Sequence, residues 1–296
     1  MIERICMRSM DRLLAVFAAI ALLLPAAVFA AAPATVEAVQ APAWRDRGGI
    51  TAPLAPGMEL KSGDVLRTGP GARAYLMLAE GSRVKLGEAA QFTLHSQSMR
   101  PEKSFRGALD IVAGAFRFTT GKLKKTLPRE VAIRVGTATI GIRGTDIWGK
   151  TDKDGDLVAL IQGRIEITRA GQTSELAQAM TYYDAPVGKA AVVKPLDMET
   201  FVKLARQTEI MAGDGAARAG GKAHILVAAA TSEKAALELY ERIRAAGFAV
   251  RILPRATEGG GWHYELRLGG YADAAEADAA AAVLHAMTGL KPVVTP

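Results

Sequence analysis

Arg134-Val135-Gly136-Thr137-Ala138-Thr139-Ile140-Gly141-Ile142-Arg143-Gly144-Thr145-Asp146 mixes β-branched and small residues between glycines. Thr137, Thr139 and Ile140 suit a strand, while Gly141 and Gly144 suit bends. Arg143 carries a fork of donors that can satisfy several carbonyls at once. On either side lie short runs of the same character: 74–78, 84–86, 92–94, 109–112, 115–119, 131–135, 157–161 and 164–168. Glycine-bearing turns separate them at intervals of roughly 8–12 residues, the rhythm of a sandwich, barrel or solenoid. From 36 to about 186 the chain therefore reads as all-β. Asp154-Gly155, between two such runs, predicts a type I′ hairpin.

Beyond this region the period changes. Leu196, Phe201 and Leu204 fall near helical spacing, and Glu199 with Lys203 forms an i,i+4 pair, so a helix is expected within 195–211. Residues 212–221 offer nothing to bury and predict a flexible linker and a domain boundary. Two similar halves follow. The first has a strand at 225–229, a helix at 232–246 ending at Gly247, and a strand at 249–253. The second has a strand at 264–268, a helix at 274–287 followed by Gly289, and a strand at 291–294. Two βαβ halves predict a ferredoxin-like βαββαβ unit, four antiparallel strands with two helices on one face. Helical spacing assigns Ala236, Leu239, Tyr240 and Ile243 to the inner face of the first helix. It assigns Ala279, Ala282, Val283 and Ala286 to that of the second. Asp273 with Glu276 resembles a capping box.

The expected fold class is thus multidomain: an all-β domain, β-solenoid-like or sandwich, followed by an α+β ferredoxin-like domain. The expected division is 1–32 signal peptide, 33–190 β domain, 191–221 helix and linker, and 222–296 α+β domain. Composition agrees with a folded chain. Of 296 residues, 50% are hydrophobic and 23% charged, which excludes a disordered polymer. The mean hydropathy of +0.13 excludes a polytopic membrane protein. A single cysteine excludes a disulfide scaffold.

The beginning of the chain bears on compartment. Arg4, Arg8 and Arg12 precede an apolar run over 13–29, and Ala30, Ala31 and Ala32 follow it. That order is the pattern of a secretory signal peptide. Cleavage after Ala30 and after Ala32 fit equally; the alternative is a retained anchor, the one case in which a membrane is a partner. Cys6 would leave with the signal. A periplasmic location follows as the expectation.

The 134–146 stretch resembles the signature of the FecR family of periplasmic domains. Gly63-Asp64-Val65-Leu66-Arg67-Thr68-Gly69 is similar to that family's G-D-x-[VL]-x-T-G step, and Glu80-Gly81-Ser82-Arg83-Val84-Lys85-Leu86-Gly87 to a second step. The resemblance spans about 36–186 and implies a β-rich periplasmic domain without catalysis. It places Thr137, Thr139, Gly141, Arg143, Gly144 and Thr145 in the family motif. The best-known members are transmembrane regulators with a cytosolic tail, and only 12 residues precede the apolar run here. The last 75 residues resemble a SPOR domain, a family that binds peptidoglycan glycan strands, especially strands denuded of stem peptides. Tyr264-Glu265-Leu266-Arg267-Leu268-Gly269-Gly270-Tyr271 carries the likeness, whereas Ile225-Leu226-Val227-Ala228-Ala229-Ala230 lacks the glutamine, glycine and phenylalanine of that family's first strand.

With helices on one face of the sheet, alternation sends Ile225, Val227, Leu266 and Leu268 inward. His224, Leu226, His263, Glu265 and Arg267 then point outward, with Arg251 beside them and Trp262 at the edge. Such groups suit a sugar chain, which needs donors and acceptors for hydroxyls and N-acetyl groups and an aromatic ring for stacking. Other chemistries fit less well. Asp152, Asp154 and Asp156 are spaced like a calcium loop, but position twelve is Gly163. His95, His224, His263 and His285 lack zinc-ligand spacing. No nucleophile elbow or phosphate loop occurs, so no catalysis, metal or cofactor is expected. The basic cluster Lys122, Lys124, Lys125 and Arg129 and the net charge of +7 suit anionic envelope polymers better than nucleic acid, given the export signal. The expected partners are denuded glycan strands and an envelope protein bound by the first domain.

Overall fold

The computed structural model describes residues 32–96, 105–121, 129–142 and 144–295, with side chains at all of these except 105, 129 and 130. The signal segment, Arg143, Lys122, Lys124, Lys125 and the Arg129 side chain lie outside the described residues.

In chain order the first domain contains β1 (Ala34–Gln40), β2 (Ala43–Arg47), β3 (Ile50–Pro53), β4 (Glu59–Leu60), β5 (Val65–Thr68), β6 (Arg73–Leu78), β7 (Arg83–Leu86), β8 (Gln91–Ser96) and β9 (Phe105–Thr119). It continues with β10 (Arg129–Val135), β11 (Ala138–Ile142), β12 (Asp146–Asp152), β13 (Gly155–Gln162), β14 (Ile165–Arg169), β15 (Gln172–Leu176), β16 (Thr181–Pro186) and β17 (Val192–Pro195). Then come α1 (Met198–Arg206), β18 (Ala216–Arg218), β19 (Ala223–Ala230), α2 (Glu233–Ala245), β20 (Arg251–Ala256), β21 (Trp262–Tyr271), α3 (Ala274–Thr288) and β22 (Val293–Thr295).

The first domain is built from two sheets. One runs β1-β6-β7-β9-β12-β13-β16-β17. The other runs β3-β2-β5-β8-β9-β10-β11-β14-β15. Among the described residues only β9 and β10 pair in parallel. The inward residues of both sheets, including Leu76, Val84 and Phe118 on one and Phe92, Ile133 and Ile167 on the other, form a single buried cluster. The domain is thus mostly β, with two sheets sharing one core.

β9 belongs to both sheets. Its first half pairs with β8 and β10, and its last six residues pair with β12. The change of sheet falls at Gly114, where φ is +82 and a Cβ would lie 2.5 Å from Ala90 Cα; a side chain has neither the dihedral nor the space. The two strands expected at 109–112 and 115–119 are thus one bent strand. Three local expectations also change. Thr137 sits in the turn between β10 and β11, not in a strand. Gly141 lies inside β11 without a positive φ, so it is no bend, whereas Gly144 has φ +69. The β12–β13 hairpin exists with Lys153-Asp154 as its loop. Neither residue has positive φ, so the turn is not type I′.

α1 starts at Asp197, whose carboxylate accepts from Thr200 N at 2.7 Å. Phe201 and Leu204 pack with Leu196 over Trp148, Ala115 and Ala159, covering the outer side of the first sheet. The next segment is not the loose linker its composition suggests. Glu209 and Ile210 bond to the Tyr75 hydroxyl. The Glu276 carboxylate accepts from Gly213 N, Gly215 N and Ala216 N at 2.7–2.9 Å. β18 pairs with β1 and, through Ala217 and Tyr271, with β21. Hydrogen bonds to distant partners hold a sequence that has no hydrophobic pattern of its own.

The second domain is ordered β22-β19-β21-β20, with every neighbouring pair antiparallel. α2 and α3 both pack on the side carrying Ile225, Val227, Leu266 and Leu268, with Phe248 and Leu284 buried among them. Ala236 and Ile243 of α2 are buried as the spacing predicts. α3 differs: it buries Ala277, Ala280, Ala281, Leu284 and Thr288 and exposes Ala282, Val283 and Ala286. A helix dominated by alanine has almost no amphipathic contrast, and the one large side chain it buries, Leu284, marks its inner face. Asp273 caps it, accepting from Glu276 N at 3.0 Å. The Glu276 side chain completes no capping box, because it serves the 213–216 amides instead. Among the described residues no helix is long and apolar enough to cross a membrane.

Candidate functional site

The side of the second sheet away from α2 and α3 collects most of the predicted residues. Register places Leu226, Arg267 and Arg251 in one cross-strand row. Glu265 pairs with Leu253, and His263 with Arg255, in the next rows. Residues opposite one another share a face, so His224, Leu226, Arg251, His263, Glu265 and Arg267 lie together as expected. Sequence reasoning missed Leu253 and Arg255. They follow from Arg251 by steps of two, and that signal was available once Arg251 was placed outward.

Trp262 departs from the expectation. It stands an even number of positions from Leu266, in a stretch that pairs with β20 without a bulge, so it falls on the helix side at the far end of the hairpin. Its ring is exposed.

Glu265 organises the face. Arg255 Nε donates to its Oε2 at 3.3 Å, and His263 Nε2 stands 3.6 Å from Oε1. Arg267 Nε lies 3.0 Å from the same Oε2, although its N–H is not aimed at that oxygen. Desolvation pushes the Glu265 carboxyl up, but the Arg255 hydrogen bond, the charges of Arg267 and Arg255 and the His263 contact outweigh it. Its pKa is held below the ordinary carboxylate value. The result is an anionic hinge that gathers two arginines and a histidine on the open side of the sheet.

At the other end, His224 lies across Gly269. A Cβ on Gly269 would come 2.6 Å from His224 Nδ1, so the glycine gives the imidazole a flat bed. Arg251 is exposed and, among the described residues, has no carboxylate partner. The face therefore offers donors from Arg251, Arg267 and the two histidines, an acceptor at Glu265, and the apolar Leu226 and Leu253 between them. Hydroxyls and N-acetyl groups can be read by such a set.

The predicted motif residues of the first domain do something else. Asp156 is buried and accepts from Thr137 N at 3.1 Å, Thr137 Oγ1 at 2.8 Å and Thr151 Oγ1 at 2.7 Å. Arg169 Nε donates to Thr137 Oγ1 at 2.8 Å. Thr145 N donates to Thr120 Oγ1, and Thr120 N to Thr145 O, each at 2.9 Å. Thr139 pairs with Thr168 across β11 and β14. Thr137 and Thr145 thus hold turns to neighbouring strands. Asp64 of the first glycine step has the same character: it is buried and receives both Arg47 Nε and Arg47 Nη2 at 2.6 Å. Asp156 turns inward from Asp152 and Asp154, and among the described residues no group of three or more His, Cys, Asp or Glu converges as a metal site.

Comparison with known proteins gives the domain classes. Residues 64–166 match the family described as FecR protein, and residues 219–296 match the SPOR domain. The chain carries a FecR domain followed by a SPOR domain. Neither family is catalytic, both are envelope-associated, and the SPOR match supports peptidoglycan binding. A search of curated proteins found no match. Two crystal structures described as "a putative anti-sigma factor" from Parabacteroides distasonis are similar at 12% identity. One covers 66% of this chain and 95% of its own, with a TM-score of 0.37; the other covers 76% and 91%, with a TM-score of 0.39.

Proposed function

We propose that this is a non-enzymatic, exported protein of the bacterial envelope. Its ferredoxin-like SPOR module holds it to peptidoglycan glycan strands, and its FecR domain serves as a scaffold and partner-binding surface. The observation that carries this reading is the uncovered sheet face, where Glu265 fixes Arg255, Arg267 and His263 beside Leu226. Supporting it are the SPOR match over the same residues and the signal-like beginning of the chain. Binding to peptide-free strands would place the protein where amidases work, as at a division site.

A second reading has its own support. The FecR match favours a signal-receiving role for the first domain, in which partner binding is reported onward through the envelope.

Co-sedimentation of the full chain with amidase-treated sacculi tests the first reading. Enrichment in the pellet over untreated sacculi is expected; equal recovery in the supernatant with and without sacculi would overturn it.

A further inference from the structure

The sheet face of the second domain does not end at its own edge. A cleft of about 710 Å³ opens beside it, and the opposite wall belongs to the first domain, just ahead of the FecR match. That wall is Ala52, Pro53, Ala55, Pro56 and Met58, the end of β3 and the loop that follows. The facing side carries Arg218, His224, Arg244, Arg251 and Arg267. Among the described residues no carboxylate lines the cleft. The two walls are fastened to each other: Ala43 N donates to Gly247 O at 3.3 Å, Arg244 donates to Thr51 O, and β18 is hydrogen-bonded to both domains.

We infer that the first domain completes the glycan site, and that the composite cleft takes a sugar chain bearing free carboxylates. This rests on the reading of the SPOR face as a glycan site and extends it in two respects. The first is charge. Of the four arginines, Arg267 and Arg244 already meet Glu265 and Glu241, so the charge left for a ligand is that of Arg218 and Arg251, and an arginine fork meets a carboxylate through two parallel hydrogen bonds. Arg218 stacks over Tyr75 at 5.8 Å, and among the described residues neither it nor Arg251 is paired with a carboxylate. Cleaving the amide between a muramyl lactyl group and its stem peptide leaves a carboxylate on the sugar. A peptide-free strand thus carries, directly on its sugars, a row of carboxylates that are tied up as amides in a peptide-bearing strand. The second respect is shape. The volume lies within the ~300–1,000 Å³ of small-ligand sites, and the proline- and alanine-rich wall is apolar and low, fit to lie against the flat side of a pyranose ring.

Binding of the full chain to three glycans tests the inference: amidase-released strands with free lactyl carboxylates, the same strands with those carboxylates converted to neutral amides, and uncharged oligomers of N-acetylglucosamine. Tightest binding to the first is expected, weakened about tenfold or more by neutralisation. Ala55→Glu puts a negative charge on the first-domain wall, at a half-buried position beside the core residue Leu54, and is expected to weaken binding to the first glycan about tenfold. Pro56→Glu repeats the test should Ala55→Glu melt early. Wild-type binding by both glutamate variants, or equal affinity for charged and neutralised strands, would overturn the composite anionic site while leaving the SPOR-face reading in place. Failure of the wild-type chain to bind any of the three would overturn both.

Discussion

The Tyr75 hydroxyl donates to Glu209 Oε2 at 3.0 Å and accepts from Ile210 N at 2.6 Å. Tyr75 stands on β6 of the first sheet, and Glu209 stands just beyond α1, so this contact fixes the path of the chain between the two domains. Lys85 Nζ lies 2.5 Å from the same carboxylate and Arg117 Nη1 lies 3.1 Å from it. Glu209→Ala leaves Lys85 without its carboxylate partner, while Arg117 keeps Asp146, and a loss of about 1–3 kcal/mol is expected. Denaturant unfolding of the two chains gives the difference; equal midpoints would refute the assignment.

The same contact sets a pH dependence. Burial pushes the Glu209 carboxyl up, but the hydrogen bonds and charges of Lys85, Tyr75 and Arg117 bring it below its ordinary value. A carboxyl lowered on folding stabilises above its unfolded pKa and loses that stabilisation as pH falls through its folded one. The melting-temperature gap between wild type and Glu209→Gln should therefore be full at neutral pH and close below about pH 4.5. Tyr75 acts at the other end. Burial, with the Glu209 charge, pushes its hydroxyl up to about 12. Its contribution is complete below the unfolded tyrosine value of about 10 and falls away as pH rises toward 12. Tyr75→Phe should lack that alkaline loss. Thermal melts across pH check both limbs.

α3 offers a sharper test of packing. Leu284 is fully buried and its neighbour Val283 is exposed. Leu284→Ala should cost about 2–5 kcal/mol and Val283→Ala less than about 1. The reverse order, read by chemical denaturation, would restore the face that periodicity alone suggested.

That helix shows where the sequence spoke clearly and where it did not. Strand positions in the second domain were legible because Ile225, Val227, Leu266 and Leu268 alternate with polar residues, and alternation fixes a face. From them the placement of His224, Leu226, His263, Glu265 and Arg267 followed. Ala279, Ala282, Val283 and Ala286 misled, because alanines crowd every side of the helix and no period distinguishes them. The bend at Gly114 was read as a break, since a glycine between two apolar runs looks the same in either case. Residues 212–221 were illegible for another reason: their order comes from Glu276, about sixty positions away, and from β1. The first-domain wall of the cleft was invisible for the same reason, as only the folded chain brings 52–58 near Arg251.

Trp262 separates placement from residue type. A tryptophan near a sugar site invites assignment to it, yet alternation puts this ring on the helix side. Arg267→Ala should weaken binding to peptide-free glycan strands about tenfold with little change in stability, and Trp262→Ala should leave binding within about twofold. Affinities of both variants by co-sedimentation decide; a large loss for Trp262→Ala would move the site around the hairpin.

Amide mapping of the full chain during titration with purified peptide-free glycan fragments tests the central claim most directly. Shifts are predicted to concentrate at 224–226, 251–255 and 263–267, with smaller ones at 52–58 across the cleft. Shifts confined to α2, α3 or Trp262, or none at all at saturating glycan, would contradict the account.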